Sequence, residues 1–552
     1  MNAALRLVSM AVLLAIVVSP VRSADLEAGR RLYQEGRLAN GEMLHVTLAG
    51  GLDISGSQYA CTACHRPSGF GMSEGGIYAP PIIGRLLYRE RVYDRAENMH
   101  LRYGERQGPL YDANINSART RPAFDDASLA RLIREGVDSA GRKIDTVMPR
   151  YSLADGDMAN LLAYLATLGK DDPGVDETTI RFAFVVAGDV DKGQLEAVAR
   201  VVEAYVAWRN EDIIGYLSLP QTSPLHRDLM YQASRLWAID FWTLRGPPAT
   251  WGEQLNRYYD AAPVFALLGG IGQPWQPVHD FCEARQVACL FPLTTEPGSG
   301  AGHEFTLYFD RGLELEAEVI AAQLAARQAA GETPVVAQIA AAANGQRQAA
   351  EHLVERLRQH GIAAGDPVEV PPGESLAAIG REMAARRPAV TDLVVWPDYE
   401  APVDLADFAT AAARWYFPSY IVPEDGLGTA EQERLNIVWP YRPPADREPR
   451  SYWVRGWLRA RGIPVTHPRR QFQTYFTLQV TRIALNVILK NYNRRYFIER
   501  IEHSAEGDLD VVFDNLSLGP GQRYAVRGAR LATPDPAAEG GLRMVSEFFV
   551  PD

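Results

Sequence analysis

The sequence predicts a small all-α domain followed by a larger, two-lobed α/β domain built on parallel sheets. Three observations predict it. Up to about residue 170, apolar residues recur at helical spacing. Lys170-Asp171-Asp172-Pro173-Gly174 then breaks that pattern as a linker does. Beyond it, continuous apolar strands alternate with helices, the pattern of parallel sheets covered on both faces. The 552 residues are enough for several domains, and the later units are too many for one comfortable sheet, so two lobes are expected.

Composition bounds the function. The chain is 47% hydrophobic and 22% charged, as in an ordinary globular protein. Its net charge of -12 argues against nucleic acid as a partner, because a polyanion binder carries a basic face. Residues 1–23 read as a signal peptide: Met1 to Arg6 carry one positive charge, Leu7 to Val18 are almost wholly apolar, and Val21-Arg22-Ser23-Ala24 offers small residues for cleavage. That apolar run is short of the roughly 20 residues needed to cross a bilayer, and no later stretch reaches that length. The expectation is an exported, periplasmic protein with no membrane span after cleavage.

The first domain covers residues 24–170. Asp25 to Gly36 is a short helix with Leu26, Leu32 and Tyr33 on its apolar face. Then comes Cys61-Thr62-Ala63-Cys64-His65, a single C-x-x-C-H, the signature of c-type haem attachment. The two thiols can add to the haem vinyl groups, and the adjacent histidine can bind the iron. A zinc site would need four ligands, and the other cysteines are far away in sequence. Residues 66–124 are rich in Gly, Pro, Arg and Tyr. Asp126 to Gly136 is helical, with Leu129, Leu132 and Ile133 in register, and a closing helix runs from Leu153 to Leu168, Ser152 being the expected cap. Between those helices, Val147-Met148-Pro149-Arg150-Tyr151 places a thioether on a loop.

With these residues quoted, the segment 25–170 resembles a class I cytochrome c. The resemblance implies one covalently attached haem c, thioether bonds from Cys61 and Cys64, and His65 and Met148 as axial iron ligands. Met72, Met99 and His100 are competing ligands, and an open iron site is the other alternative.

Residues 171–178 are expected as linker and 179–552 as the second domain. Strands are expected at 181–187, 236–244, 264–269, 288–292, 305–309, 334–339, 392–396, 420–423 and 436–439. Helices are expected at 194–208, 251–259, 276–285, 313–329, 346–360 and 375–385. Cys282 and Cys289 sit where a helix ends and a strand begins, and export favours a disulfide between them.

Val264-Phe-Ala-Leu-Leu-Gly-Gly-Ile271, Ala288-Cys-Leu-Phe-Pro-Leu-Thr-Thr295 and Phe305-Thr-Leu-Tyr-Phe-Asp310, in this order of elements, resemble a type I periplasmic binding protein of the branched-chain amino acid receptor class. The resemblance implies a cleft where the glycine turn after a strand meets the ligand. The candidate ligand-binding residues are Gly270, Gly272, Thr294, Thr295 and Tyr308. Pro274-Trp275 departs from the hydroxylic residues common there, which raises an aromatic or less polar ligand. Trp396, Asp398, Tyr399 and Glu400 could meet the ligand's other end.

No G-x-S-x-G, H-E-x-x-H or P-loop is present, so no catalytic set is named. His279-Asp280, Glu351-His352 and Asn491 to Tyr496 read as solvated surface. The expected function is a periplasmic mono-haem c-type cytochrome that transfers single electrons. Its redox partner would be a periplasmic dehydrogenase or cytochrome, and its second domain would bind a small solute or dock that partner. The alternative is a solute receptor or sensor whose haem reports redox state or a gas.

Overall fold

The computed structural model describes residues 24–74, 77–91, 120–220, 234–300, 303–342, 344–371, 374–386, 390–399, 403, 405–408, 413–423, 434–504 and 510–551. The expected signal peptide, Met99, His100 and Glu400 lie outside them. The chain forms two compact units that meet in sequence between Gly169 and Lys170.

In the smaller unit, α1 (Leu26–Glu35) starts where the Asp25 side chain accepts the N–H groups of Glu27 and Ala28, and ends at Gly36 in the left-handed region. Strands β1 (His45–Thr47) and β2 (Asp53–Ser55) follow, then α2 (Thr62–His65), the hairpin β3 (Met72–Glu74) and β4 (Ile77–Ala79), and α3 (Gly84–Leu87). The unit closes with α4 (Asp126–Glu135), β5 (Arg150–Tyr151) and α5 (Asp155–Leu165). It is therefore not all-α: β1 pairs antiparallel with both β2 and β5. These strands are two or three residues long, too short for period-2 patterning to reveal.

α1 crosses α5 closely, with Leu32, Tyr33, Met158, Leu161, Leu162 and Leu165 buried in the unit's core. Ser152 does not cap α5. Its N–H donates to the carbonyl of His45 as an extension of β5, and Arg134 instead holds the Leu153 carbonyl and the Asp155 carboxylate.

One local design occurs twice. Asp125 caps α4 as Asp25 caps α1, and Gly136 ends α4 as Gly36 ends α1. The turns that follow repeat bond for bond: Leu38 N–H to Glu42, Gly41 N–H to Leu38 and Leu44 N–H to Gly36 match Asp138 to Arg142, Gly141 to Asp138 and Ile144 to Gly136.

The larger unit begins with residues 171–178, which are docked rather than free. Asp172 N–H donates to the Tyr492 carbonyl, and its carboxylate accepts the Arg494 N–H at 2.7 Å. The first lobe then holds β6 (Thr179–Ala187), α6 (Lys192–Leu217), β7 (Leu236–Leu244), α7 (Trp251–Ala261), β8 (Ala266–Gly272), α8 (Gln276–Arg285), β9 (Ala288–Leu290) and β10 (Thr306–Leu307). Its sheet is parallel throughout, in the order β10-β9-β8-β6-β7.

The second lobe runs through α9 (Leu313–Ala329), β11 (Val336–Ala341), α10 (Asn344–Gln359), β12 (Val368–Val370), α11 (Leu376–Arg386), β13 (Asp392–Trp396), β14 (Arg414–Phe417) and β15 (Leu435–Trp439). Then α12 (Pro444–Arg450), α13 (Tyr452–Ala460), α14 (Pro468–Ile488) and α15 (Arg494–Ser504) lead to β16 (Arg530–Pro534) and β17 (Leu542–Met544). The second sheet is ordered β12-β11-β13-β14-β15-β16-β17, parallel up to β15 and antiparallel after it.

Continuous apolar runs such as Leu393-Val394-Val395-Trp396 are buried on both faces, as the pattern predicted. The strand expected at 420–423 is displaced. Trp415, Tyr416 and Phe417 form β14, Pro418 ends it, and Ser419–Ile421 is a 3₁₀ turn. The segment expected as surface at 491–496 contains a buried arginine. Arg494 donates to the carbonyls of Phe265, Gln286, Pro173 and Val264 and to the Tyr259 hydroxyl. This clamps α15 onto the first lobe, where α14 also packs against α6 and β8. Cys282 and Cys289 are joined by a disulfide that ties α8 to β9.

Candidate functional site

In the smaller unit, Cys61, Cys64 and His65 come together on α2, and both cysteines are free thiols. His65 is buried, and its Nδ1 lies 2.9 Å from the Pro80 carbonyl. That geometry puts the proton on Nδ1 and the lone pair on Nε2, which has no hydrogen-bond partner among the described residues. Burial pushes the imidazole down to about 4, so the ring is neutral, the form that binds a metal.

Met148 is half-buried on the loop leading into β5. Arg150 fastens that loop by donating to the carbonyls of Met148, Ile144 and Asp145. Tyr151, next in β5, donates to the Tyr59 carbonyl at 3.1 Å. Its hydroxyl pKa is raised by burial and then by Cys61 and Cys64, which places the strand beside the thiols. Two unbonded thiols, a neutral histidine with its tautomer fixed and a fastened thioether loop fit a covalently held haem c. Met72 lies in β3.

In the larger unit, a cleft of about 600 Å³ opens where the carboxyl ends of the parallel strands of both sheets face each other. Gly272 and Gln273 at the end of β8, Thr294 and Thr295 after β9, and Tyr308 and Asp310 after β10 line its first-lobe side. Tyr399 after β13, Ser419 and Tyr420 after β14, and Tyr441 after β15 line the second-lobe side. Arg469, Arg470 and Gln473 enter from the start of α14.

Of the five residues expected at a ligand, Gly272, Thr294, Thr295 and Tyr308 therefore lie on the cleft. Gly270 does not line it: an added Cβ would meet the Trp275 ring at 2.3 Å. That glycine is required by packing, and Trp275 is buried beneath it, so its indole is not offered to a ligand. Thr295 donates to the Gln273 side chain at 2.8 Å, and Thr294 accepts the Glu296 N–H. The Tyr308 hydroxyl is turned into the first lobe. It accepts the Gly298 N–H and pairs with His279 Nδ1 at 3.1 Å. His279 is thus buried, contrary to the surface reading. Tyr399 crosses between lobes and donates to Glu296 at 2.8 Å. Trp396 is buried and donates to Gln338 instead.

Sequence reasoning missed Asp310, Glu316, Ser419, Tyr441, Arg469 and Gln473. Asp310, Ser419 and Tyr441 each follow a strand, a signal that could have found them. Glu316 and the α14 residues carry none, because they reach the cleft from helices. The Glu316 carboxylate accepts the Ser419 N–H at 2.9 Å and its hydroxyl at 2.6 Å. Burial raises Glu316 to about 8 and Asp310 to about 6.

Glu314, Glu318 and His352 stand close enough to hold a metal ion. Glu318, however, is already paired with Arg311, with His352 3.3 Å away and Arg356 3.9 Å away. Two guanidinium groups around one carboxylate fit an ion-pair cluster and not a cation site. No helix among the described residues is long and apolar enough to cross a membrane.

No protein-family model and no curated protein matches the chain. Solved structures do. A branched-chain amino acid ABC transporter protein from Thermus thermophilus with bound valine is 12% identical, with a TM-score of 0.50, covering 68% of this chain and 97% of that one. A fatty acid ABC transporter substrate-binding protein from Thermomonospora curvata is 14% identical, with a TM-score of 0.46 and coverages of 69% and 95%. A substrate-binding protein from Sphaerobacter thermophilus is 13% identical, with a TM-score of 0.49 and coverages of 68% and 98%. At such identities the likeness is one of fold. The chain contains the two-lobed α/β fold of type I periplasmic binding proteins.

Proposed function

We propose that the chain is an exported solute receptor whose smaller unit carries one covalently attached haem c. The observation that carries the receptor reading is the cleft itself, where strand ends from both sheets converge and two lobes share the lining. Thr294, Thr295 and Gln273 supply hydrogen-bonding groups from one lobe, and Tyr399 and Tyr420 supply rings from the other. The fold likeness to substrate-binding proteins supports a small molecule as the partner and the periplasm as the compartment.

In the smaller unit, Cys61 and Cys64 would hold the haem by thioether bonds, and His65 Nε2 and the Met148 sulfur would be the groups that bind its iron. Bound there, the haem supplies a one-electron redox couple. The Pro80 carbonyl orients His65, and Arg150 holds the methionine loop in place. Burial of His65 excludes water from that side. These fastenings favour a second reading, in which the chain passes single electrons to a periplasmic dehydrogenase or cytochrome.

A thermal-shift screen of the full-length protein against small periplasmic metabolites tests the receptor reading. A binder raises the unfolding midpoint by mass action, and a silent panel at millimolar concentration overturns the reading. Reduction potentials with and without that binder separate the alternatives. A shift ties solute to redox state, as a sensor requires, and an unchanged potential leaves the electron-carrier reading.

A further inference from the structure

The cleft is unbalanced in charge, and the imbalance bears on what it holds. Four carboxyl groups line it, from Asp189, Asp191, Asp310 and Glu316, against the two guanidinium groups of Arg469 and Arg470. Arg469 is committed. It donates to the Val422 carbonyl and lies over the Trp439 and Tyr441 rings, at 5.5 and 5.0 Å from their centroids. Even counting both arginines, an excess of two acidic groups remains (four minus two), although Glu316, raised to about 8, carries its proton at neutral pH until a cation meets it. Asp310 uses Oδ1 to accept the Gly312 N–H at 2.7 Å, and its Oδ2 has no partner among the described residues.

Donors for an anion are correspondingly scarce on the first-lobe edge. Pro274 and Pro277 have no N–H to offer. The Trp275 N–H is spent on the Glu296 carbonyl at 3.1 Å, and the Gly272 N–H on the Leu293 carbonyl at 3.4 Å. The Glu296 N–H goes to the Thr294 hydroxyl at 3.2 Å. A carboxylate placed there would find these three N–H groups already taken and would exchange its water for fewer partners. The opposite wall offers ring faces: Tyr399 and Tyr420 stand with centroids 4.7 Å apart, and Tyr441 lies beside Arg469. Rings beside carboxyl groups attract a cation.

We infer that the solute is an organic ammonium ion without a carboxylate, its charged head at Asp310 beside Glu316 and its carbon frame against the tyrosine rings. This rests on the receptor reading and narrows it. Burial raises both carboxyls, and a cation supplied by the ligand restores their ionised form. The fixed charges facing them are Arg311 beside Asp310 and Arg469 beside Glu316.

Calorimetric titration of the full-length protein with choline, putrescine and spermidine, and with leucine, valine and 3,4-dihydroxybenzoate, tests the inference. The expected result is saturable binding of an ammonium compound and none of the carboxylates. Two controls locate the head. Asp310→Asn keeps the acceptor for Gly312 and removes the charge, and should weaken binding at least tenfold. In the unaltered protein, 3,3-dimethylbutanol, the neutral isostere of choline, should likewise bind at least tenfold more weakly than choline if choline is the binder. Binding of a zwitterion or anion and of no ammonium ion overturns the inference and leaves the receptor reading standing. Equal affinity for charged and neutral isosteres overturns it as well. Silence from all six compounds overturns it too, and the broader metabolite screen then decides the receptor reading separately.

Discussion

The two units carry their chemistry in opposite ways. In the smaller one, five consecutive residues, Cys61 to His65, would hold most of the proposed haem chemistry, with the surrounding fold orienting them. In the larger one, the cleft draws its lining from Asp189 to Gln473, and no short stretch of sequence announces it. A site whose atoms must meet one rigid cofactor is compressed into a fixed spacing. A site between two lobes is dispersed, because each strand contributes only the residue or two beyond its end. A motif is therefore strong evidence for the first kind of site and nearly silent about the second.

The largest effect that could break this comparison is loss of the motif. Replacing Cys61 and Cys64 with Ser should abolish covalent haem, read as loss of haem stain on a denaturing gel. Retained stain would remove the smaller unit's chemistry from those five residues. The dispersed counterpart is Arg494. Arg494→Met leaves four carbonyls and a hydroxyl without their donor and should cost about 3–5 kcal/mol in urea unfolding. A cost below about 1 kcal/mol would show that the clamp is not what joins α15 to the first lobe.

An effect of comparable size is pH-dependent. Glu316 titrates near 8 in the folded cleft against an ordinary value of 4.5, so the native state binds the extra proton in that window. Stability from this group is full below about pH 4.5 and is lost as pH rises towards 8, at up to about 1.4 kcal/mol per pH unit. Asp310 adds to the loss between its ordinary 3.8 and about 6. Glu316→Gln should flatten the fall in unfolding midpoint between pH 5 and 8. An unchanged profile would mean that the carboxyl is ionised throughout. The smallest effect is Arg150→Ala, which frees the Met148 loop at about 1–2 kcal/mol. The haem should stay attached while the weak absorption band of methionine–iron ligation fades at lower temperature than in the unaltered protein.

Legibility in the sequence followed the same division. Long apolar strands and amphipathic helices stood out: β7, β13, α8 and α9 begin and end where the pattern places them. The two-residue β5 and β10 are too short to carry a period. Tyr420–Pro423 read as a strand because Tyr, Ile and Val favour one, yet Pro418 and the stronger run before it moved the strand upstream. Asn491 to Tyr496 read as surface because two arginines sit together. Arg494 was nevertheless buried, since several carbonyl ends of the first lobe and its incoming segment needed a common donor. At the cleft, Thr294 and Thr295 were legible from the strand before them. Asp310 reads only as a strand's end, and nothing in the sequence links Arg469 to a site so far away in the chain.

The return of α14 and α15 to the first lobe sets an order of events. The chain is synthesised from its amino end, so the first lobe's strands, complete by residue 307, are made long before residues 468–504 are. Until those arrive, α6 and β8 lack the helix that covers them, and the carbonyls awaiting Arg494 face water. The first lobe is the earliest of the two to be made and cannot be the first to be finished. The interval is one in which exposed strands are open to aggregation, and a chaperone would have its longest engagement there.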